Sequence, residues 1–181
     1  WDKLIEVIVG NAESIAPLIF PTEVPVDAET REKAYAIARR AFPDWFLEEV
    51  AEDLEELVGV IEQFGAKVYR PVTRDIHKIY STPHWSACGN NVYNMRDLHL
   101  VVGNTVIESP SHEKHRLYEA TGLYEIWYEY FEEGFKWIAG PKPRLEGDYR
   151  SVFYDDGKRL TRLAENEIMF EAANTVKMGT D

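Results

Sequence analysis

The chain reads as an α/β protein assembled from repeating strand–helix–strand units, and three features of the sequence say so. A β-branched pentad occurs twice, as Val-Ile-Val-Gly-Asn at 7–11 and as Leu-Val-Val-Gly-Asn at 100–104, 93 positions apart. An acidic amphipathic stretch follows Pro43 and runs directly into the strand-like "AKVYRP" at 66–71. Two apolar runs, 98–102 and 105–108, flank Gly103–Asn104 and lead into an aromatic-rich helical stretch and then "FKWIAGPKP". That order, β–α–β–β–α–β, is the signature of an α/β class. Self-similarity at a fixed spacing points to a repeat architecture with further copies beyond residue 181.

Taken in order, residues 4–9 are β-branched and end at Gly10–Asn11, which predicts a buried strand and a stop. Residues 12–29 carry Pro17, Pro21 and Pro25 and predict a loop. Thr30 is placed to cap a helix over "REKAYAIARRA". Pro43–Asp44 opens the clearest helix, with Phe46, Val50, Leu54, Leu57, Ile61 and Phe64 at steps of three and four on its inner stripe. Glu48, Glu49, Glu52, Asp53, Glu55 and Glu56 fill its solvated face, and Gly65 marks its end. Residues 71–91 have no period of their own and are expected to form a long functional loop. Strands 98–102 and 105–108 form a hairpin around Gly103–Asn104. Ser111 caps the next helix, whose inner face holds Leu117, Ala120, Tyr124, Trp127, Tyr128 and Phe131 as core, and Gly134 closes it. A short strand at "FKWIAG", an irregular charged region at 144–163, and a strand at 167–170 complete the expectation. The last is followed by a turn bearing Glu171 and Asn174.

The 181 residues and 45% hydrophobic content suit one sizeable core, and the ends at Trp1 and "KMGTD" read as cut. A net charge of −12 argues against a nucleic-acid partner, which relies on clustered Lys and Arg. The single cysteine, Cys88, rules out an internal disulfide framework and suits a reducing cytoplasm. No apolar run reaches the ~18 residues of a membrane span, and no secretory leader is recognisable.

Candidate chemistry is sparse. One Cys and five scattered His offer no zinc spacing, and His112 and His115 at the start of a helix read more simply as solvent-facing. "VVGN" lacks the further glycines and the lysine of a phosphate loop. Cys88 beside His84 suggests a nucleophile, but nothing supplies a third, orienting group. Asp97 is the strongest candidate: it stands with Arg96 at a strand mouth, in a polar cluster with Asn90, Asn91 and Tyr93. The plain alternative is a surface ion pair of little energetic weight. Glu171 has a comparable place after "IMF". Two carboxylates at neighbouring strand ends can face one cavity and there accept a guanidinium fork.

Four blocks in this order, "WDKLIEVIVGNAES", "MRDLHLVVGNTVIESP", "KWIAGPKP" and "IMFEAANTVKMGTD", resemble the amidinotransferases, the group that includes the glycine and inosamine-phosphate enzymes. The resemblance covers essentially the whole chain. It implies a five-bladed α/β-propeller (pentein) built from ββαβ repeats, with residues 1–181 as the N-terminal part of a single catalytic domain. It further implies transfer of the amidino group of arginine to an acceptor amine through a covalent amidino-cysteine, with release of ornithine and no cofactor or metal. Carried over by motif, Asp97 matches the guanidinium-binding Asp of the Arg-Asp block and Arg96 supports it; Asn91, from the same polar cluster, is a further substrate-binding candidate. Glu171 matches the carboxylate that partners the catalytic His. That His and the nucleophilic Cys are expected beyond Asp181, so Cys88 is not the nucleophile and this chain alone is expected to be inactive. The turn reads Glu-Ala-Ala-Asn where animal glycine-using relatives have Asp-Ala-Ala-Asp, which leaves the acceptor open. Expected partners are the small-molecule substrates, with neither nucleic acid nor membrane and with a homodimer left open; the expected location is cytoplasmic. Two other readings stay in view: a guanidine-modifying hydrolase of arginine deiminase type, and a non-catalytic pentein-type binding module.

Overall fold

A computed structural model describes residues 3–13, 42–73, 79–83, 86–88, 92–111, 116–141, 144, 167–176 and 178. Within them the strands form three small sheets. The first pairs β1 (Glu6–Ile8) in parallel with β2 (Lys67–Tyr69), Val7 lying opposite Val68. Parallel neighbours need a crossover, and α1 (Asp44–Gln63) lies within it. Val9, Ala12 and Leu54 are buried there, with Val50, Ala51, Val58 and Ile61 packed around them. Leu57 and Phe64, expected on the inner stripe, are exposed instead, because a two-stranded sheet is too narrow to cover the full apolar arc. The end of α1 follows the expectation for Gly65. With φ 80° it donates to the Glu62 carbonyl at 2.8 Å while Ala66 reaches back to Ile61 at 3.4 Å, a Schellman closure.

Residues 71–91 are not wholly irregular. β3 (Ile79–Ser81) and β4 (Ser86–Cys88) form a three-pair antiparallel hairpin, with Tyr80 opposite Ala87. Three residues per strand are too few to show an alternation in sequence, which is why the hairpin was not expected. The Tyr80 ring stacks on Tyr118 at 5.2 Å.

The second unit is better covered. α2 (Met95–Leu98) is a single helical turn that takes Leu98 out of the expected strand, so β5 starts one residue later (His99–Val102). It pairs antiparallel with β6 (Thr105–Glu108) through a turn in which Gly103 has φ 56°. β7 (Lys136–Ile138) then joins β6 in parallel. Between them a 3₁₀ segment (Glu119–Leu123) leads into α3 (Tyr124–Glu132). Val92, Met95, Leu98, Val106, Leu123, Ile126 and Trp127 make the main core. Tyr128 and Phe131, expected in it, are exposed, while Tyr130 packs against it. The tighter 3₁₀ start shifts the phase of the following helix and rotates those two rings outward.

The strand expected at 167–170 does not form. Phe170 donates one backbone bond to Pro110, 3.3 Å away past the end of β6, and one bond is not a ladder. A 3₁₀ turn (Ala172–Asn174) follows Glu171. The Pro17–Pro25 loop, the Thr30 helix, Asn90, Asn91, His77, His84, His112, His115 and almost all of 144–163 lie outside the described residues. Among the described residues no helix is long and apolar enough to cross a membrane.

Candidate functional site

Asp97 and Glu171 meet. Asp97 rides on α2, which the buried side chains of Met95 and Leu98 fasten to the core. Glu171 is held from the segment after β6: Ser111 Oγ donates to its Oε1 at 3.4 Å, and Ser109 Oγ accepts from the Ala172 amide at 3.2 Å. The two carboxylates converge on a third side chain. Arg116 Nη1 donates to Asp97 Oδ2 at 2.9 Å and lies 3.5 Å from Glu171 Oε1, a long ion contact. Its Nε donates to Glu119 Oε2 at 3.0 Å. Arg116 and Glu119 stand three residues apart, the spacing that brings side chains onto one face of a tight helical turn.

The arrangement is graded in exposure. The side chains of Arg116 and Glu119 are 9% and 4% exposed, whereas Asp97 and Glu171 keep 20% and 16%. Of the three carboxylates, the two expected from sequence are the ones that solvent, and therefore a ligand, can reach. Burial works against the charge on Arg116, but Glu119, Asp97 and Glu171 outweigh it and hold the guanidinium above its ordinary pKa. Three carboxylates and one guanidinium leave two formal negative charges at the centre.

Arg96 points elsewhere. Its Nη1 and Nη2 donate to the carbonyls of Ala173 and Thr175 at 3.3 and 3.1 Å, tying α2 to the turn behind Glu171. Those are the unsatisfied carbonyls of a helical turn, which a cation suits. Asn91 lies outside the described residues. Arg116 and Glu119 were not singled out in sequence. The available signal was their position: each immediately precedes a buried apolar residue, Leu117 and Ala120, so both border the inner stripe. A different histidine stands near the strand mouth. His99 packs edge-on against Trp127 at 4.8 Å, its Nδ1 has no hydrogen-bond partner among the described residues, and burial lowers its pKa from 6.5 to about 4. Among the described residues no group of three or more His, Cys, Asp and Glu is arranged to hold a metal ion.

No protein-family model matches the chain. The chain is 37% identical to inosamine-phosphate amidinotransferase 1 of Streptomyces griseus, over all of its own length and 52% of that protein. It is 32% identical to the mitochondrial glycine amidinotransferase of Danio rerio, again over its whole length and 46% of the relative. Its fold superposes on an inosamine-phosphate amidinotransferase from Streptomyces griseus with a TM-score of 0.80 at 36% identity, over 99% of this chain and 51% of the other. On SxtG, an amidinotransferase from Microseira wollei in the saxitoxin biosynthetic pathway, the TM-score is 0.77 at 32% identity, over 99% and 53%. The chain thus spans about half the length of the curated relatives it matches. Sequence and fold likeness both run from one end of the chain to the other, and both are to amidinotransferases, over about half of their length.

Proposed function

We propose that the intact protein transfers the amidino group of arginine to an acceptor amine, and that residues 1–181 supply the guanidinium-binding half of its catalytic domain. The observation that carries this reading is the convergence of Asp97 and Glu171, both partly open to solvent, on a centre where three carboxylates surround one guanidinium. A flat cationic substrate group is what such a centre attracts. In this reading Asp97 accepts N–H bonds from the guanidinium and fixes its plane, since carboxylates aimed at a poor electrophile orient it for attack. Glu171 orients a histidine, and a cysteine thiolate attacks the guanidinium carbon; both of those residues lie on a part of the protein beyond this chain. The bond from that carbon to the ε-nitrogen of arginine breaks, a proton passes to that nitrogen as it leaves, and it departs as the δ-amine of ornithine. The acceptor amine then attacks the amidino-cysteine, the thiolate leaves, and one proton is lost, so that one difficult displacement becomes two. No cofactor is needed. The remaining units close the five-bladed α/β-propeller, and in this reading they cover Val101, Val102 and Ile138, which are exposed on β5 and β7.

Incubating the full-length protein with arginine and a panel of amines tests the proposal. Ornithine and amidinated amine in equal amounts are expected. Citrulline or ammonia would indicate hydrolysis instead, and arginine binding with no product would indicate a binding module. Asp97→Asn should lower kcat/KM for arginine by ~2–4 kcal/mol, the loss of a charged, directional contact. Unchanged kinetics would remove Asp97 from the site.

A further inference from the structure

Neither step above uses Arg116, yet it is the residue around which the site is built. A buried guanidinium is tolerated only where it is paired, and here three carboxylates from three separate elements pair with it: α2, the 3₁₀ segment and the turn at 171. Asp97 and Glu171 touch the same nitrogen, so their oxygens are near neighbours and would repel strongly at that spacing if nothing stood between them. Glu119 fixes Arg116 from behind through Nε, which leaves Nη1 aimed at the other two.

We infer that Arg116 is a positioning residue of the transfer reaction: its guanidinium holds the Asp97 and Glu171 carboxylates side by side at one nitrogen and directs them at the substrate. The inference rests on the proposed function. Its physical content is geometric. Without the guanidinium, the two carboxylate oxygens that share Nη1 lose the group between them, repel each other and turn apart. A displaced Asp97 no longer lies in the plane of the substrate guanidinium, and a displaced Glu171 no longer orients the histidine.

The test is kcat and KM for arginine in the full-length protein, comparing wild type, Arg116→Gln and Arg116→Lys, with the folded fraction measured beside them. The Gln variant is expected to lower kcat about a hundredfold or more in its folded fraction. The Lys variant restores the charge without the planar fork and is expected to recover about tenfold of that loss. A merely structural role would lower the folded fraction and leave kcat per folded molecule at the wild-type value. Should the Gln variant fail to fold, Arg116→Lys is combined with Asp97→Asn: losses that are far from additive support the inference, and additive losses overturn it. A wild-type enzyme that releases ornithine, with an Arg116→Gln variant of wild-type kcat per folded molecule, overturns this inference alone. A wild-type protein that forms no ornithine overturns the proposed function and this inference with it.

Discussion

The two copies of the Val-Gly-Asn ending look alike and do different work. At 102–104 the chain turns in the open: Gly103 has φ 56°, and a Cβ built there meets nothing within 4 Å. At 9–11 the chain is pressed against its neighbour: a Cβ on Gly10 would stand 2.0 Å from the Tyr93 carbonyl oxygen. Asn11 beside it is buried and donates to Pro71 O and Thr73 Oγ1 at 3.1 and 3.2 Å. The structural counterpart of Gly10 is Gly140, where a Cβ would meet Glu108 O at 2.5 Å. Each follows a parallel-paired strand by two residues, β1 and β7, and each lets that strand's exit run against the backbone of another segment, at Tyr93 and at Glu108. The real repeat is therefore "EVIVG" against "KWIAG", which share little as text. Strand direction and the demand for close backbone approach define it.

Substitution can break this comparison directly. Gly10→Ala should produce the largest effect, a destabilisation above about 3 kcal/mol, since backbone and not a flexible side-chain tip blocks the new methyl. Gly140→Ala should follow closely behind. Gly103→Ala should cost only about 1 kcal/mol, the price of a positive φ in open space. Denaturant unfolding of the three variants checks the order, and equal losses at all three positions would restore the simpler reading of the pentads as equivalent.

An effect between those extremes comes from the root of the second hairpin. His99 is kept neutral by burial, with its pKa lowered to about 4, while in the unfolded chain it takes a proton near 6.5. Between those values the unfolded state binds more protons, so stability falls as pH drops from 6.5 towards 4 and then levels. The loss is on the order of 3 kcal/mol and should be absent in His99→Phe. Chemical denaturation across that pH range measures it, and a slope of equal size in the Phe variant would assign the effect to another group.

How much was legible follows from the same contrast. Periodicity located α1, β5, β6 and the stops at Gly65, Gly103 and Gly134, because those features are local. It misjudged Leu57, Tyr128 and Phe131 because what covers a helix depends on the width of the sheet beneath and on the pitch of the preceding turn. Asp97 and Glu171 could be singled out from their polar settings, but the side chain that joins them could not. Arg116 lies 19 positions from one and 55 from the other, and no short pattern encodes that meeting.

The absence of a β-ladder at 167–171 has a consequence for how the molecule breathes. The segment is fastened by separate bonds, from Phe170 to Pro110, from Ser111 to Glu171 and from Ala172 to Ser109, and by side-chain contacts from Arg96 and Arg116, none of which belongs to the pairing of β6 with β5 and β7. Local opening there costs less than global unfolding. A local opening of this segment would therefore separate Glu171 from Asp97 and leave the three-stranded sheet paired.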